Sequence, residues 1–330
     1  MKKIAVIGAG SWGVALARVL SKKNDRVYLW SFFEDEAQML QKGREHKSKL
    51  PNIILPENIF CTSDIKLVLE DADMALLVVP SDVVRNTAKL MKPYITKNTI
   101  IVNCSKGIEQ GTDLLMTQVI EQEISNCKIG VLTGPTHAEE VARDIPTAIV
   151  AASNDIKTAE FIQDAFMSEC FRVYTNTDVI GVQLGGALKN IIALCAGITD
   201  GLNLGDNTKA ALMTRGMAEI VRLGVALGAK KETFSGLTGI GDLIVTCTSM
   251  HSRNRRAGIL IGQGKTPSEA MDEVKMVVEG IKTAKGAYEL SQKLNVSMPI
   301  TKKAYDILFN GVDPRSAVYE LMNRDKKSEV

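Results

Sequence analysis

The first half of the chain alternates short β-branched runs with stretches whose apolar residues recur at helical spacing. This alternation is typical of a parallel sheet covered by helices. The predicted strands occupy residues 4–7, 26–30, 74–79, 100–103, 128–132, 148–151 and 171–174.

After about residue 176 the strand runs stop and helical patterns dominate, separated by glycine-rich turns. The predicted helices cover residues 179–201, 208–228, 253–262, 267–275, 281–293 and 299–309. We therefore predict an α/β protein. A Rossmann-like, mostly parallel sheet domain spans residues 1–177, and an all-helical domain spans residues 178–330.

The composition supports a packed protein of about two domains. Of the 330 residues, 45% are hydrophobic and 24% are charged, which excludes disorder as the main state. The formal net charge is only +2, so the balance of charges argues against a dedicated nucleic-acid binder. We expect a small-molecule substrate and no nucleic-acid partner.

The six cysteines are scattered without a Cys-x-x-Cys pair, and the chain has only three histidines. This pattern favours reduced thiols in a cytoplasmic protein over a disulfide framework, and it predicts no metal site.

The N-terminus imitates a secretory signal, since Met1-Lys2-Lys3 precedes an apolar stretch and Ala15-Leu16-Ala17. The alternative is a strand at 4–7, a glycine turn and a helix at 11–21. We favour this alternative because the glycines fall where a nucleotide-binding unit needs them. No apolar run approaches the roughly 20 residues of a bilayer span, so we predict no membrane insertion.

A glycine turn joins the first strand to the first helix with the sequence Gly8-Ala9-Gly10-Ser11-Trp12-Gly13. Backbone N–H groups and the helix dipole converge there, where a pyrophosphate can bind. The alternative is a purely structural turn, but the strand before it and the helix after it favour a dinucleotide. Ser11 and Trp12 are expected to face the cofactor.

The end of the second strand bears on the choice of cofactor, because an acid there would bind the ribose hydroxyls of NAD. The sequence reads Ser31-Phe32-Phe33, and the first acid is Glu34. Basic residues follow at positions 42, 44, 47 and 49. We expect NADP(H) to be accepted as well as NAD(H), with Phe32 stacking on adenine or packing as an ordinary aromatic residue.

Lys189 lies on a helix face of small residues, since i, i+4 spacing aligns it with Gly181, Gly185, Ala193 and Gly197. Such a stripe leaves room for another backbone or a ligand beside the amine. A partly desolvated lysine has a lowered pKa and can act as a general base. The alternative is close helix packing with a lysine that extends to solvent.

Further polar groups follow strand ends and begin a helix. Lys106 and Thr136 come after predicted strands, where an open parallel sheet binds ligands. Asp242 ends a tight glycine loop at 237–242. Ser252 is a candidate N-cap, and the helix N-terminus with Arg253 is a candidate phosphate site. Taken alone, each is equally explained as an ordinary loop or helix cap.

Together these segments resemble the NAD(P)-dependent sn-glycerol-3-phosphate dehydrogenase family of bacterial type. The matching segments run in family order from residue 4 to about residue 280. They are residues 6–13, Val79-Pro80-Ser81, Lys106-Gly107, Gly134-Pro135-Thr136, 181–190, Gly239-Ile240-Gly241-Asp242, 252–256 and Val277-Val278-Glu279-Gly280.

The resemblance implies reversible hydride transfer between NAD(P)H and dihydroxyacetone phosphate, with Lys189 as the proton donor and acceptor, feeding glycerophospholipid synthesis. Residues 1–177 would then be the dinucleotide-binding domain, and residues 178–330 the helical substrate and catalytic domain. The implied substrate residues are Lys106, Gly134, Thr136, Lys189, Asp242, Ser252, Arg253 and Asn254. The implied cofactor residues, with the glycine turn, are Gly8, Gly10, Ser11, Trp12, Gly13, Phe32, Lys106, Ala138, Arg253, Val277 and Glu279.

Two other functions stay open at this point. One is a different two-domain dehydrogenase acting on a 3-hydroxy acid or on 6-phosphogluconate, which would lack the paired Gly-Ile-Gly-Asp and Ser-Arg-Asn motifs. The other is a non-catalytic NAD(H)-binding redox sensor, against which the balanced charge and the lack of a basic recognition helix argue. The sequence also leaves open a homodimer.

Overall fold

The fold is taken from a computed structural model that describes residues 2–326, 328 and 329. Ten strands form a large sheet and a small hairpin. They are β1 Lys3–Ile7, β2 Arg26–Trp30, β3 Glu45–His46, β4 Leu50–Ile54, β5 Ile59–Thr62, β6 Met74–Leu77, β7 Ile100–Asn103, β8 Lys128–Thr133, β9 Thr147–Ala152 and β10 Phe171–Asn176.

The large sheet has the order β10-β9-β8-β7-β6-β1-β2-β5, and only the β8–β9 pair is antiparallel. Its helices are α1 Ser11–Ser21, α2 Glu34–Gly43, α3 Ile65–Leu69, α4 Val84–Met91, α5 Met116–Glu123, α6 Ala138–Val141 and α7 Ile156–Phe166. Apolar clusters cover both faces of the sheet. The predicted Rossmann-like, mostly parallel sheet is therefore confirmed.

The second half is helical. Its helices are α8 Val179–Gly201, α9 Gly205–Ala226, α10 Asp242–Thr248, α11 Arg253–Gly262, α12 Pro267–Val274, α13 Glu279–Lys293, α14 Pro299–Phe309 and α15 Pro314–Met322. The buried helix α8 forms the centre of this half, and α9, α10, α11 and α13 pack around it. This arrangement confirms the predicted all-helical second half.

The N-terminal segment forms a strand and a helix of the core, as predicted for 4–7 and 11–21. Residues Ile4 and Val6 of β1 are buried, and α1 packs its apolar face beside them. Met1, which begins the signal-like charged stretch, lies outside the described residues. The apolar character of this segment is therefore explained by burial in the sheet.

Three sequence predictions about local structure are wrong or incomplete. The segment predicted as a glycine loop is a π-helical turn, Leu237–Gly241, that runs directly into α10. The sequence predicts no apolar run close to the length of a bilayer span, and this prediction is wrong for α8. By length and composition alone α8 could cross a membrane, but 94% of its most apolar window is buried inside the protein. The edge strand β5 and the β3–β4 hairpin were not predicted.

Candidate functional site

The candidate site lies at one edge of the sheet, where the parallel strands β1, β2, β6, β7 and β8 end. The glycine turn follows β1, Lys106 follows β7, and Gly134 follows β8. Helix α8 packs against β8. The groups that the sequence placed after separate strands therefore share one crevice beside the helical half, where ligands bind in open α/β sheets.

The geometry of the turn explains why glycine occupies each of its three glycine positions. Gly8 has φ +121°, and a Cβ on it would lie 2.3 Å from the carbonyl oxygen of Val78. A Cβ on Gly13 would lie 1.8 Å from the carbonyl oxygen of Gly8, so α1 packs tightly on the turn. Beside Gly10, by contrast, no described atom lies within 4 Å of that position. This is the open space that a pyrophosphate needs.

The first turn of α1 can receive that pyrophosphate. Among the described residues, no side chain caps this helix, and its first turn carries no acid. The backbone N–H groups around Ser11 are thus available to an anion. Trp12 is half-buried and packs against the core of the sheet half. The turn therefore fits a dinucleotide.

The adenosine end of such a ligand would lie beyond the end of β2. The last residue of β2 is hydrogen-bonded to the glycine turn, since the backbone N–H of Gly8 donates to the carbonyl of Trp30 at 3.0 Å. Phe32 is 68% exposed and lies edge-on to Phe33, with ring centroids 5.3 Å apart. Phe33 is also exposed, so the rings of this aromatic pair are accessible to a ligand.

Lys189 lies midway along α8, where the glycine stripe admits two neighbouring backbones. A Cβ on Gly185 would lie 2.4 Å from the carbonyl oxygen of Thr238, and one on Gly197 would lie 2.0 Å from that of Arg255. The first contact brings in the turn before α10, and the second brings in α11. Close packing at these two glycines therefore brings Asp242, which follows the turn, and the start of α11 near Lys189.

The Lys189 ammonium is buried and bonded to α10. Its Nζ donates to Asp242 Oδ1 and, at 2.7 Å, to Thr246 Oγ1. The other carboxylate oxygen of Asp242 accepts from Lys106 Nζ at 2.9 Å, and Lys106 also donates to the carbonyl of Gly134 at 3.3 Å. Two lysines thus share one fully buried carboxylate.

Burial lowers the pKa of Lys189 from its ordinary value to about 7. Asp242 raises this pKa and the like charge of Lys106 lowers it further, but desolvation is the largest effect. A lysine of this kind holds a proton near neutrality and can also release it. It is therefore suited to act as either a general acid or a general base.

The start of α11 forms the other wall of the crevice. The Ser252 side chain accepts from the backbone N–H of Arg255 at 3.2 Å, so the predicted N-cap is confirmed. Asn254 donates to Asn190 Oδ1 at 3.0 Å and accepts from the backbone N–H of Gly280 at 2.8 Å. These bonds tie the start of α11 to α8 and α13.

Among the remaining predicted residues, hydrogen bonds place Glu279 and Thr136 beside this crevice. Glu279 begins α13 and accepts from Ser81 Oγ at 2.8 Å, across the two halves. Burial raises the pKa of Glu279, and the bonds from Ser81 oppose this. Thr136 donates to the carbonyl of Gly134 at 3.1 Å, Ala138 begins α6, and Val277 is partly exposed.

Sequence reasoning missed several polar groups near the site. Thr246 lies one helical turn after Asp242, and this i, i+4 spacing could have revealed it. His137 has a buried Nε2 with no hydrogen-bond partner within the described residues, and its ring centroid lies 5.5 Å from that of His251. Thr133 Oγ1, at the end of β8, is likewise buried and unpartnered there.

All six cysteines are free, and four of them are buried. Over the described part of the chain there is no group of three or more His, Cys, Asp or Glu side chains arranged to hold a metal ion.

The fold and this crevice define a nucleotide-dependent dehydrogenase with a helical second half. Residues 3–159 match the family described as NAD-dependent glycerol-3-phosphate dehydrogenase N-terminus, and residues 178–319 match the corresponding C-terminus. The chain belongs to the NAD-dependent glycerol-3-phosphate dehydrogenase family.

Individual relatives agree with this assignment. Over 329 residues the chain is 54% identical to glycerol-3-phosphate dehydrogenase [NAD(P)+] of Clostridium perfringens, covering 100% of this chain and 99% of the relative. The enzyme of the same name from Fusobacterium nucleatum is 53% identical, with the same coverage. The crystal structure of glycerol-3-phosphate dehydrogenase from Coxiella burnetii has a TM-score of 0.94 at 41% identity, covering 97% of this chain and 98% of that one.

Proposed function

We propose that this chain interconverts dihydroxyacetone phosphate and sn-glycerol 3-phosphate by hydride transfer with NAD(P)H, with Lys189 as the general acid and base. The observation that carries this proposal is the buried amine of Lys189, whose pKa is lowered to about 7 beside Asp242 and Lys106. A solvated structural lysine would have neither the burial nor the shared carboxylate.

The nicotinamide supplies or accepts the hydride at C2 of the substrate when the cofactor is bound. The fit of the glycine turn supports binding of its pyrophosphate at Gly10 and Ser11. The other residues that we propose for cofactor binding are Gly8, Trp12, Gly13, Phe32, Lys106, Ala138, Arg253, Val277 and Glu279.

Lys189 moves the proton. In reduction, its ammonium donates a proton to the C2 oxygen of dihydroxyacetone phosphate as the carbonyl becomes a hydroxyl. In oxidation, the neutral amine takes the proton from that hydroxyl. Asp242 and Thr246 fix the direction of the amine by the hydrogen bonds described above. Because the amine is excluded from water, its proton is directed to the substrate and not to solvent.

The phosphate group binds at the start of α11 in this proposal. Ser252, Arg253 and Asn254 would hold it, with Gly134 and Thr136 completing the substrate site. The N-terminal N–H groups of α11 and the Arg253 guanidinium are the chemistry that phosphate recognition uses. Binding energy from the phosphate, remote from C2, would hold the carbonyl in the reacting position.

The wider setting is proposed on the same basis. Residues 1–177 would bind the dinucleotide and residues 178–330 would supply the proton and bind the substrate. We expect the enzyme to work in the cytoplasm on a small molecule, without nucleic acid or membrane insertion, and to feed glycerophospholipid synthesis. A homodimer is compatible with this function.

The experiment is a comparison of substrates with NADPH and with NADH, following the nicotinamide absorbance. Dihydroxyacetone phosphate should be reduced, whereas the keto forms of 3-hydroxy acids and of 6-phosphogluconate should give no turnover. Dihydroxyacetone without phosphate is the matched control and should react far more slowly. Binding of NADPH without any loss of absorbance would instead indicate the non-catalytic sensor.

A further inference from the structure

An ion-pair cluster lies just beyond the end of β2, the strand after which the adenosine of a dinucleotide binds in this type of fold. Ser31 follows β2 directly, and its Oγ donates to Glu36 Oε2 at 2.5 Å. The other oxygen, Oε1, contacts His46 Nε2 at 3.0 Å and accepts from Lys49 Nζ at 2.5 Å. Helix α2 and the β3–β4 hairpin thus meet through one carboxylate.

This carboxylate differs from the usual acid that binds the ribose hydroxyls of NAD at the end of the second strand. Both oxygens of Glu36 already have partners within the protein. Burial raises the pKa of Glu36, but hydrogen bonds from His46, Lys49 and Ser31 outweigh it and lower the pKa to about 2. Glu36 is therefore ionised at every working pH and serves as a counter-ion within the protein.

The three partners of Glu36 differ in their freedom to leave it. Ser31 and His46 are buried, whereas the side chain of Lys49 is 42% exposed. If Lys49 turns toward a ligand, Glu36 keeps two hydrogen bonds. The ammonium of Lys49 can therefore exchange partners without leaving a carboxylate alone in a buried place, which would be costly.

The other charged groups nearby are committed elsewhere or point to solvent. Arg44 donates to the carbonyls of residues 55, 56 and 59. Glu34 accepts from Gln38 at 2.7 Å and from Ser63. Glu45 accepts from the backbone N–H of Asn52 at 2.8 Å. Lys42 and Lys47 are exposed. Among these cations, Lys49 is therefore the one that is bonded to Glu36 and also exposed enough to turn toward a ligand.

We propose that Lys49 is the ligand of the NADP 2′-phosphate and that Glu36 is its resident competitor. With NAD, Lys49 stays on Glu36. With NADP, it exchanges Glu36 for the 2′-phosphate, which carries the larger negative charge. This exchange is why the site accepts both cofactors. The inference rests on the proposed function only in that the adenosine must bind beyond β2.

The test measures binding by calorimetry on the full chain, with adenosine 2′,5′-bisphosphate and 5′-AMP as probes that differ only in the 2′-phosphate. Lys49→Gln should weaken the bisphosphate about tenfold, the scale of one charge-assisted hydrogen bond, and leave 5′-AMP within about twofold. Glu36→Gln should strengthen the bisphosphate by about three- to tenfold, because it removes the competitor and a like charge. Lys47→Gln, an exposed lysine two residues away, is the matched control and should change neither.

The outcomes separate this inference from the proposed function. Opposite shifts in the two variants, confined to the bisphosphate, support the exchange. Equal weakening of both probes by Glu36→Gln, with a lower unfolding temperature, would mean a merely structural carboxylate and overturn it. So would an unchanged ratio of affinities in Lys49→Gln. If the unaltered protein binds neither probe nor NADH, the proposed function itself fails at the cofactor site.

Discussion

Two buried carboxylates in the helical half have opposite surroundings. Glu219 on α9 accepts from the backbone N–H groups of Ile300, at 2.6 Å, and of Thr301, at 3.0 Å, and also from the hydroxyl of Thr301 at 3.0 Å. Asp242 on α10 accepts from two ammonium groups, those of Lys189 and Lys106. The first carboxylate has neutral donors at a helix N-terminus, and the second has two cations.

Under the proposed function, this difference separates a structural carboxylate from one in a reactive site. Two of the donors to Glu219 are backbone N–H groups of α14, and the third is the side-chain hydroxyl of Thr301. An ammonium has three N–H donors, and the contacts around Asp242 use two of those on Lys189 and two of those on Lys106. Each lysine therefore keeps one donor for a ligand. In the proposed function, these spare donors and the excess of positive charge would receive the anionic substrate.

The strongest test of the contrast removes the reactive amine. Lys189→Ala should lower kcat by about 10²- to 10⁴-fold in both directions, the scale of general acid–base catalysis, because no other group would exchange the proton. Initial rates with dihydroxyacetone phosphate and NADPH measure this, and the Kd of NADPH should stay nearly unchanged. Lys209→Ala is the matched control, because Lys209 is paired with Asp200 at 2.6 Å in the same half. Near-normal turnover of Lys189→Ala would refute its role.

The next test removes the structural carboxylate. Glu219→Leu should cost about 2–4 kcal/mol of unfolding free energy, because buried N–H donors of α14 lose their acceptor. Urea unfolding measures this cost, and kcat of the folded variant should stay the same. The same change at an exposed position, Glu232→Leu, should cost little. A large loss of kcat with unchanged stability would mean that the two carboxylates are not distinct in kind.

The smallest expected effect is a change in the pKa of Lys189 when its neighbour Lys106 is replaced. Lys106→Met removes a like charge that lowers the pKa of Lys189 and leaves Asp242 to that lysine alone, so the pKa should rise, by about one unit. Oxidation of glycerol 3-phosphate needs the neutral amine, so the acid limb of kcat/KM should move to higher pH. In reduction, which needs the ammonium, the alkaline limb should move the same way. A shift to lower pH would contradict this electrostatic account, whatever the loss in substrate affinity.

Local sequence patterns by themselves determined a large part of the secondary structure of this protein. Burial imposes periodicity on each strand and helix, so the strands β1, β2 and β6 to β10 and the long helix α8 were visible in the sequence. The glycine turn and the Ser252 cap are also local, because each is set by the backbone of a few consecutive residues. The site residues Lys189 and Asp242 stood out because of their neighbours in the sequence, and the family resemblance implied their roles.

Only the tertiary structure decided which of these groups meet. Lys189 and Asp242 are 53 residues apart and Lys106 and Asp242 are 136 apart, and no local period encodes such pairs. The edge strand β5 and the cluster around Glu36 were missed because their partners come from other elements. Close packing at Gly185 and Gly197 decides the geometry of the site, and burial decides the pKa of its amine. Both depend on what the rest of the chain brings to those positions.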